Sequence, residues 1–130
     1  MRVLIVDDSV VMRMIVERML RHAGIHLDEV LQAANGVEGL AVLDHAAASG
    51  DQFDLILSDV HMPIMDGLEF LLEKLRRNLA PGVPFVMLTA DCNDPSAIRA
   101  VAAGAQGFIS KPFTVAQMQN SLASLLLHAA

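Results

Sequence analysis

The 130-residue chain predicts an α/β fold, with parallel strands covered by helices on both faces. Three observations predict it. Short aliphatic runs alternate five times with segments that carry helical spacing. The first run, Val3 to Val6, is continuous in hydrophobicity, as strands buried on both faces are. The connections are short and punctuated by glycine and proline, which suits right-handed crossovers. The length suits one domain, so residues 1–130 are read as a single unit without an output domain.

Taken in order, Val3 to Val6 is the first buried strand, ending at Asp7-Asp8. Ser9 is placed to cap a helix reaching about His22, with Val11, Ile15 and Met19 on its apolar side. Arg13, Glu17 and Arg21 recur every four residues, a spacing that supports ion pairs. Gly24 is a helix stop. Glu29 to Ala33 is the second strand, Asn35-Gly36 a turn, and Val37, Leu40 and Leu43 open a helix ending near Ser49-Gly50. Phe53 to Ser58 is the third strand, ending at Asp59. Leu68, Leu71, Leu72 and Leu75 form an amphipathic pattern, with Glu73 and Arg77 spaced to pair, and Pro81-Gly82 closes it. Pro84 to Leu88 is the fourth strand, ending at Thr89. Asp94-Pro95 is an N-cap followed by proline, and Gly104 ends that helix. Phe108 to Ser110 is a short fifth strand before Lys111-Pro112, and Thr114 caps a helix with Val115, Met118, Leu122 and Leu125 on one side.

Composition removes several classes of function. The net charge of -6 argues against nucleic acid as a direct ligand and suits a cation or a basic partner. No apolar run is long enough to span a bilayer, and Met1 to Val6 meets Asp7-Asp8 with no cleavage site behind it, so no membrane partner is expected. A single cysteine, Cys92, leaves a reducing cytoplasm as the expected location. The eight methionines read as soft core, and His22 and His26, with Gly24 between them, as unrelated surface residues.

In open α/β sheets ligands bind outside the carboxyl ends of the strands. The residues at those ends are Asp7 and Asp8, Asp59, Thr89 and Lys111. Three carboxylates and one ammonium sum to about -2 at neutral pH. An all-oxygen donor set with that charge suits a hard divalent cation, Mg²⁺ first and Mn²⁺ as an alternative. A carboxylate beside such a cation, a lysine and a hydroxyl forms a phosphoryl-transfer site: the cation, Lys111 and Thr89 each take one oxygen, and a free carboxylate oxygen of Asp59 attacks in line.

Val6-Asp7-Asp8-Ser9, Asp59 followed by Met62-Pro63 and Met65-Asp66-Gly67, Leu88-Thr89-Ala90 and Lys111-Pro112-Phe113 occur in that order across nearly the whole chain. Together they make the sequence resemble the receiver domain of two-component response regulators, the CheY-like fold. The resemblance implies a three-layer doubly wound (βα)5 sandwich with strand order 2-1-3-4-5. It implies that Asp59 is the phosphoacceptor, that Asp8 and Asp59 bind Mg²⁺ directly and Asp7 through water, and that the His61 backbone carbonyl supplies a further ligand. Lys111 pairs with the phosphoryl group, Thr89 moves toward it, and the Lys111-Pro112 bond is cis. Phe108 stands at the aromatic switch position, where many relatives carry tyrosine, so any switching is by packing alone. His61 and Asp91 flank the path of an attacking water and tune dephosphorylation.

The implied donor is a sensor histidine kinase or a histidine phosphotransfer protein. The implied receiver of the signal is a protein target or a downstream phosphotransfer protein, reached through the surface of the fourth and fifth helices and the fifth strand. Such a domain catalyses only its own phosphorylation and dephosphorylation. The alternative is a Mg²⁺-dependent phosphatase or phosphotransferase of the haloacid dehalogenase type. That class wants an Asp-x-Asp nucleophile motif on the first strand, whereas Asp7 and Asp8 are adjacent.

Overall fold

The computed structural model describes residues 1–129, and their side chains as far as Ala123. Strands β1 (Arg2–Val6), β2 (Glu29–Ala33), β3 (Leu55–Asp59), β4 (Phe85–Thr89) and β5 (Gly107–Ser110) form one parallel sheet of order β2-β1-β3-β4-β5. Helices α1 (Val10–His22), α2 (Gly36–Ser49), α3 (Gly67–Arg76), α4 (Pro95–Ala103) and α5 (Val115–Ala129) fill the crossovers. This is the predicted doubly wound sandwich. No helix among the described residues is long and apolar enough to cross a membrane.

Side chains alternate along each strand, so each strand feeds two cores. Val3 and Ile5 of β1, Leu55 and Leu57 of β3, and Val86 and Leu88 of β4 pack with Val16, Leu20, Met118 and Leu122 of α1 and α5. Leu4 and Val6, Ile56, and Phe85 and Met87 pack on the other face with Leu40, Leu43, Phe70, Leu71, Ala97 and Ala100 of α2, α3 and α4. Phe70 and Phe85 meet there with ring centroids 5.4 Å apart and a 53° tilt, a favourable aromatic geometry. Each such side chain contributes roughly 1.5–3 kcal/mol by leaving water.

Element ends follow local chemistry. Ser9 Oγ accepts from the Met12 N–H at 3.2 Å, and Thr114 Oγ1 from Gln117 at 3.1 Å. Asp94 Oδ1 caps α4, and Asp66 with Glu69 forms a reciprocal capping box on α3. Lys111-Pro112 is cis.

Several expectations are corrected. Asn35-Gly36 is a helix start and not a free turn: Asn35 Oδ1 caps α2 through the Glu38 N–H. β3 begins at Leu55, because Phe53 lies in the preceding loop under the Arg2 guanidinium. Pro84 has no N–H for the ladder, so β4 begins at Phe85. α3 stops at Arg76, well before Pro81, where Asn78 and Ala80 turn to positive φ.

Two helices are also rotated. α1 buries Val16 and Leu20, leaving Val11 and Ile15 exposed; Met12 and Met19 pack at the edge of the core. α3 buries Phe70, Leu71 and Lys74, leaving Leu72 and Leu75 exposed. Phe70 is the larger anchor and takes the inward position, which carries Lys74 with it. The stem of Lys74 covers apolar surface, and burial pushes its ammonium pKa down. Glu73 does pair with Arg77 at 2.9 Å, and also with Arg76. Arg21 pairs loosely with Glu17 at 3.8 Å, while Arg13 turns elsewhere. Leu125 lies outside the described side chains.

Gly67 opens α3 directly beneath the end of β3. A Cβ at this position would stand 2.2 Å from the Asp59 carbonyl oxygen, closer than any real contact. Gly67→Ala is therefore expected to cost about 2 kcal/mol, lowering the thermal midpoint by about 7 °C, as differential scanning calorimetry would show.

Candidate functional site

β1, β3, β4 and β5 deliver their last residues to one rim, and that rim gathers the predicted site. Carboxylate oxygens of Asp7, Asp8 and Asp59 lie within 4.8 Å of one another. Lys111 Nζ reaches Asp59 Oδ1 at 3.1 Å and Asp7 Oδ2 at 3.4 Å. The adjacency of Asp7 and Asp8 separates their surroundings: Asp7 is buried and Asp8 exposed.

Asp7 is held at both carboxylate oxygens. Its Oδ1 accepts from the Ser9 N–H at 2.9 Å, and its Oδ2 faces Lys111. Its backbone extends the β1–β2 ladder through a bond to the Ala33 carbonyl at 3.0 Å. Arg13 donates to the Asp7 carbonyl and, through Nε, to Gln32 of β2. Arg13 thus braces the loop after β1, a role its regular charge spacing conceals.

Asp59 is recessed, with its side chain 15% exposed. Oδ1 accepts from the Val60 N–H at 2.9 Å and from Lys111, while Oδ2 has no hydrogen bond among the described residues. Ser58, fully buried behind it, donates its hydroxyl to the Asp59 carbonyl at 2.9 Å. Burial pushes the Asp59 pKa up, and the facing Asp7 charge adds to that; Lys111 offsets part of it.

Thr89 is buried and turned into its own loop: its hydroxyl donates to the Asp91 carbonyl at 2.8 Å and accepts from the Asp91 N–H at 3.1 Å. The Asp91 side chain caps Asn93. His61 stands at the solvent edge, its Nε2 bonded to Asp94 Oδ2, and this bond lowers the Asp94 pKa. Phe108 lies farther along β5, partly buried and packed against the α2–α4 core. Met65 lies against Gly36, whose N–H donates to the Met65 carbonyl at 2.9 Å, so the loop after β3 rests on the start of α2.

The rim therefore brings together Asp7, Asp8, Asp59 and Lys111, with Thr89 at the end of the neighbouring strand. His61 and Asp91 occupy the loops outside it. Asp94 and Arg13 were legible only as a cap and as a helix charge, because their partners are remote in sequence. The donor set fits a hard cation: three carboxylates gathered at one point, of which Asp8 is free of hydrogen bonds among the described residues.

Residues 3–123 match the family described as the response regulator receiver domain. The sensory/regulatory protein RpfC of Xanthomonas campestris pv. campestris is 41% identical over 129 residues, covering 96% of this chain and 16% of that protein. The chain thus spans about a sixth of that curated relative. The structure of the Vibrio cholerae chemotaxis protein CheY4 is 35% identical, covers 99% of this chain and 98% of its own, and superposes with a TM-score of 0.73. The receiver domain of the sensor histidine kinase PA1611 from Pseudomonas aeruginosa PAO1, solved with magnesium in its active-site cleft, is 28% identical, with a TM-score of 0.75 and coverage of 95% and 94%.

The raised pKa of Asp59 has a definite consequence for stability. Between the ordinary carboxylate value of 3.8 and its raised native value, the folded chain binds more protons than the unfolded chain. The contribution of Asp59 to stability is thus fully present below about 3.8 and is lost as pH rises through the native value. Chemical denaturation across pH is expected to show Asp59→Asn more stable than wild type at neutral pH, with the gap closing in acid.

Proposed function

The chain belongs to the response regulator receiver family of two-component signalling, and on that premise we propose that Asp59 accepts a phosphoryl group from a phosphohistidine donor. The observation that carries this is the asymmetry of the Asp59 carboxylate. One oxygen is pinned by Val60 and Lys111; the other is free to act as nucleophile. Attack by Oδ2 forms the O–P bond as the P–N bond to the donor imidazole breaks, and the bonding electrons return to that ring. Lys111, 3.1 Å from the acceptor, is placed to follow the charge onto a phosphoryl oxygen. Thr89 exchanges its Asp91 carbonyl partner for a second oxygen.

Mg²⁺, or Mn²⁺ in its place, supplies charge neutralisation of the phosphoryl oxygens when bound. Asp8 and Asp59 suit direct ligation, and the His61 backbone carbonyl a further position. Asp7, with both oxygens engaged, suits contact through water. His61 and Asp91 flank the approach of water and set the lifetime of the phosphorylated state. The domain modifies itself and turns over no external substrate.

The exposed apolar run on α1 supports a protein donor. Val10, Val11, Met14 and Ile15 are exposed and begin two residues beyond Asp8. A helical histidine kinase or phosphotransfer domain seated there would bring its phosphohistidine over the rim. Output to a protein target or a downstream phosphotransfer protein is assigned to the α4–β5–α5 surface, where Ile98 and Val101 are exposed and Phe108 is half-buried. With no phenol hydroxyl, Phe108 responds to Thr89 by packing alone.

Incubation with Mg²⁺ and acetyl phosphate is expected to add one phosphoryl group by intact mass to wild type and none to Asp59→Asn; a label that survives the substitution refutes the assignment. Thermal scans are expected to show wild type gaining stability with Mg²⁺, about 2.7 kcal/mol at a hundredfold excess over its dissociation constant, and Asp59→Asn gaining far less. Val11→Ser with Ile15→Ser is expected to slow transfer from a phosphorylated histidine phosphotransfer domain about tenfold, or ~1.4 kcal/mol, while labelling by acetyl phosphate keeps its wild-type rate.

A further inference from the structure

The bond between His61 and Asp94 joins two loops that are otherwise separate in sequence. His61 follows β3 two residues beyond Asp59, and Asp94 opens α4 five residues beyond Thr89. β3 and β4 are neighbours, with Asp59 paired to Leu88, so the bond crosses the carboxyl edge between the two strands that carry Asp59 and Thr89. Its two ends differ. The Asp94 side chain is 14% exposed and is also fixed by the Ser96 N–H at 2.9 Å through its other oxygen. The His61 side chain is 71% exposed, against 15% for Asp59. A firmly held carboxylate therefore anchors a solvent-facing imidazole at the strand edge that also carries the recessed Asp59.

We propose that Asp94 is a positioning residue that holds the His61 imidazole as a strap on the solvent side of Asp59, slowing the approach of water and of small phosphoryl donors. This rests on Asp59 being the phosphoacceptor. An isolated histidine at 61 would sample several rotamers and leave the approach open for part of the time. The hydrogen bond removes that freedom, and the cap to Ser96 keeps the carboxylate from following the ring into solvent. A protein donor that displaces the ring on docking gains access that small molecules lack.

Serine ranks with aspartate as a helix cap but is too short to reach the ring, so Asp94→Ser keeps α4 capped while releasing His61. Asp94→Ser is expected to speed both labelling by acetyl phosphate and hydrolysis of the labelled protein about threefold, with an unchanged melting temperature. His61→Ala is expected to do the same, and the double variant to go no further than either single one, the sign of a shared contact. Unchanged rates in Asp94→Ser, additive effects in the double variant, or slower hydrolysis on release of the ring would each overturn the proposal; slower hydrolysis would mean that the imidazole assists the water.

Nitrogen-15 NMR of the His61 ring gives a readout that needs no phosphorylation. The Nε2 resonance is expected to move between wild type and Asp94→Ser, and identical ring signals would overturn the contact itself. Failure of wild type to label at all would count against Asp59 as acceptor, while the ring signals would still judge the strap.

Discussion

Three carboxylates within 4.8 Å repel one another, and the rest of the rim is arranged around that repulsion. At an effective dielectric of about 20, two unit charges at that distance cost roughly 3.5 kcal/mol. Lys111 offsets part of this by standing between Asp7 and Asp59. Local donors add to this: Ser9 holds Asp7 and Val60 holds Asp59, each through a backbone N–H. Asp8 has no such partner among the described residues and stays in solvent, where its charge is cheapest to keep. The remaining negative imbalance is what makes the site receptive to a cation.

The backbone around Asp59 is correspondingly confined. Gly67 closes from below and Ser58 bonds the Asp59 carbonyl from behind. The following loop leans on Gly36 through Met65 and carries Ile64 at a φ of 71°, a conformation that β-branched residues seldom adopt. Neighbours on several sides therefore determine where the acid sits.

Strand positions were legible because two-sided burial writes an aliphatic run, and the rim followed, since four of the five runs lead into a residue able to do chemistry. Helix faces were less so. In α1, Val10, Val11, Met12, Met14, Ile15 and Val16 are all apolar, so spacing alone fits more than one inward face. The sheet and α5 choose Val16 and Leu20. In α3 the leucines obscured Phe70, whose bulk sets the rotation and draws Lys74 inward. Within the site, the carboxylates and Lys111 could be placed from sequence because strand ends fix them. The partners of Arg13 and His61 could not, since they depend on which loops the topology brings side by side.

The sheet keeps its two cores apart. Each strand residue serves the α1–α5 layer or the α2–α4 layer, and a change of packing in one has no side chain in common with the other. The two layers share their boundary only where strands give way to loops. A change at that boundary is therefore in contact with both layers of the molecule at once.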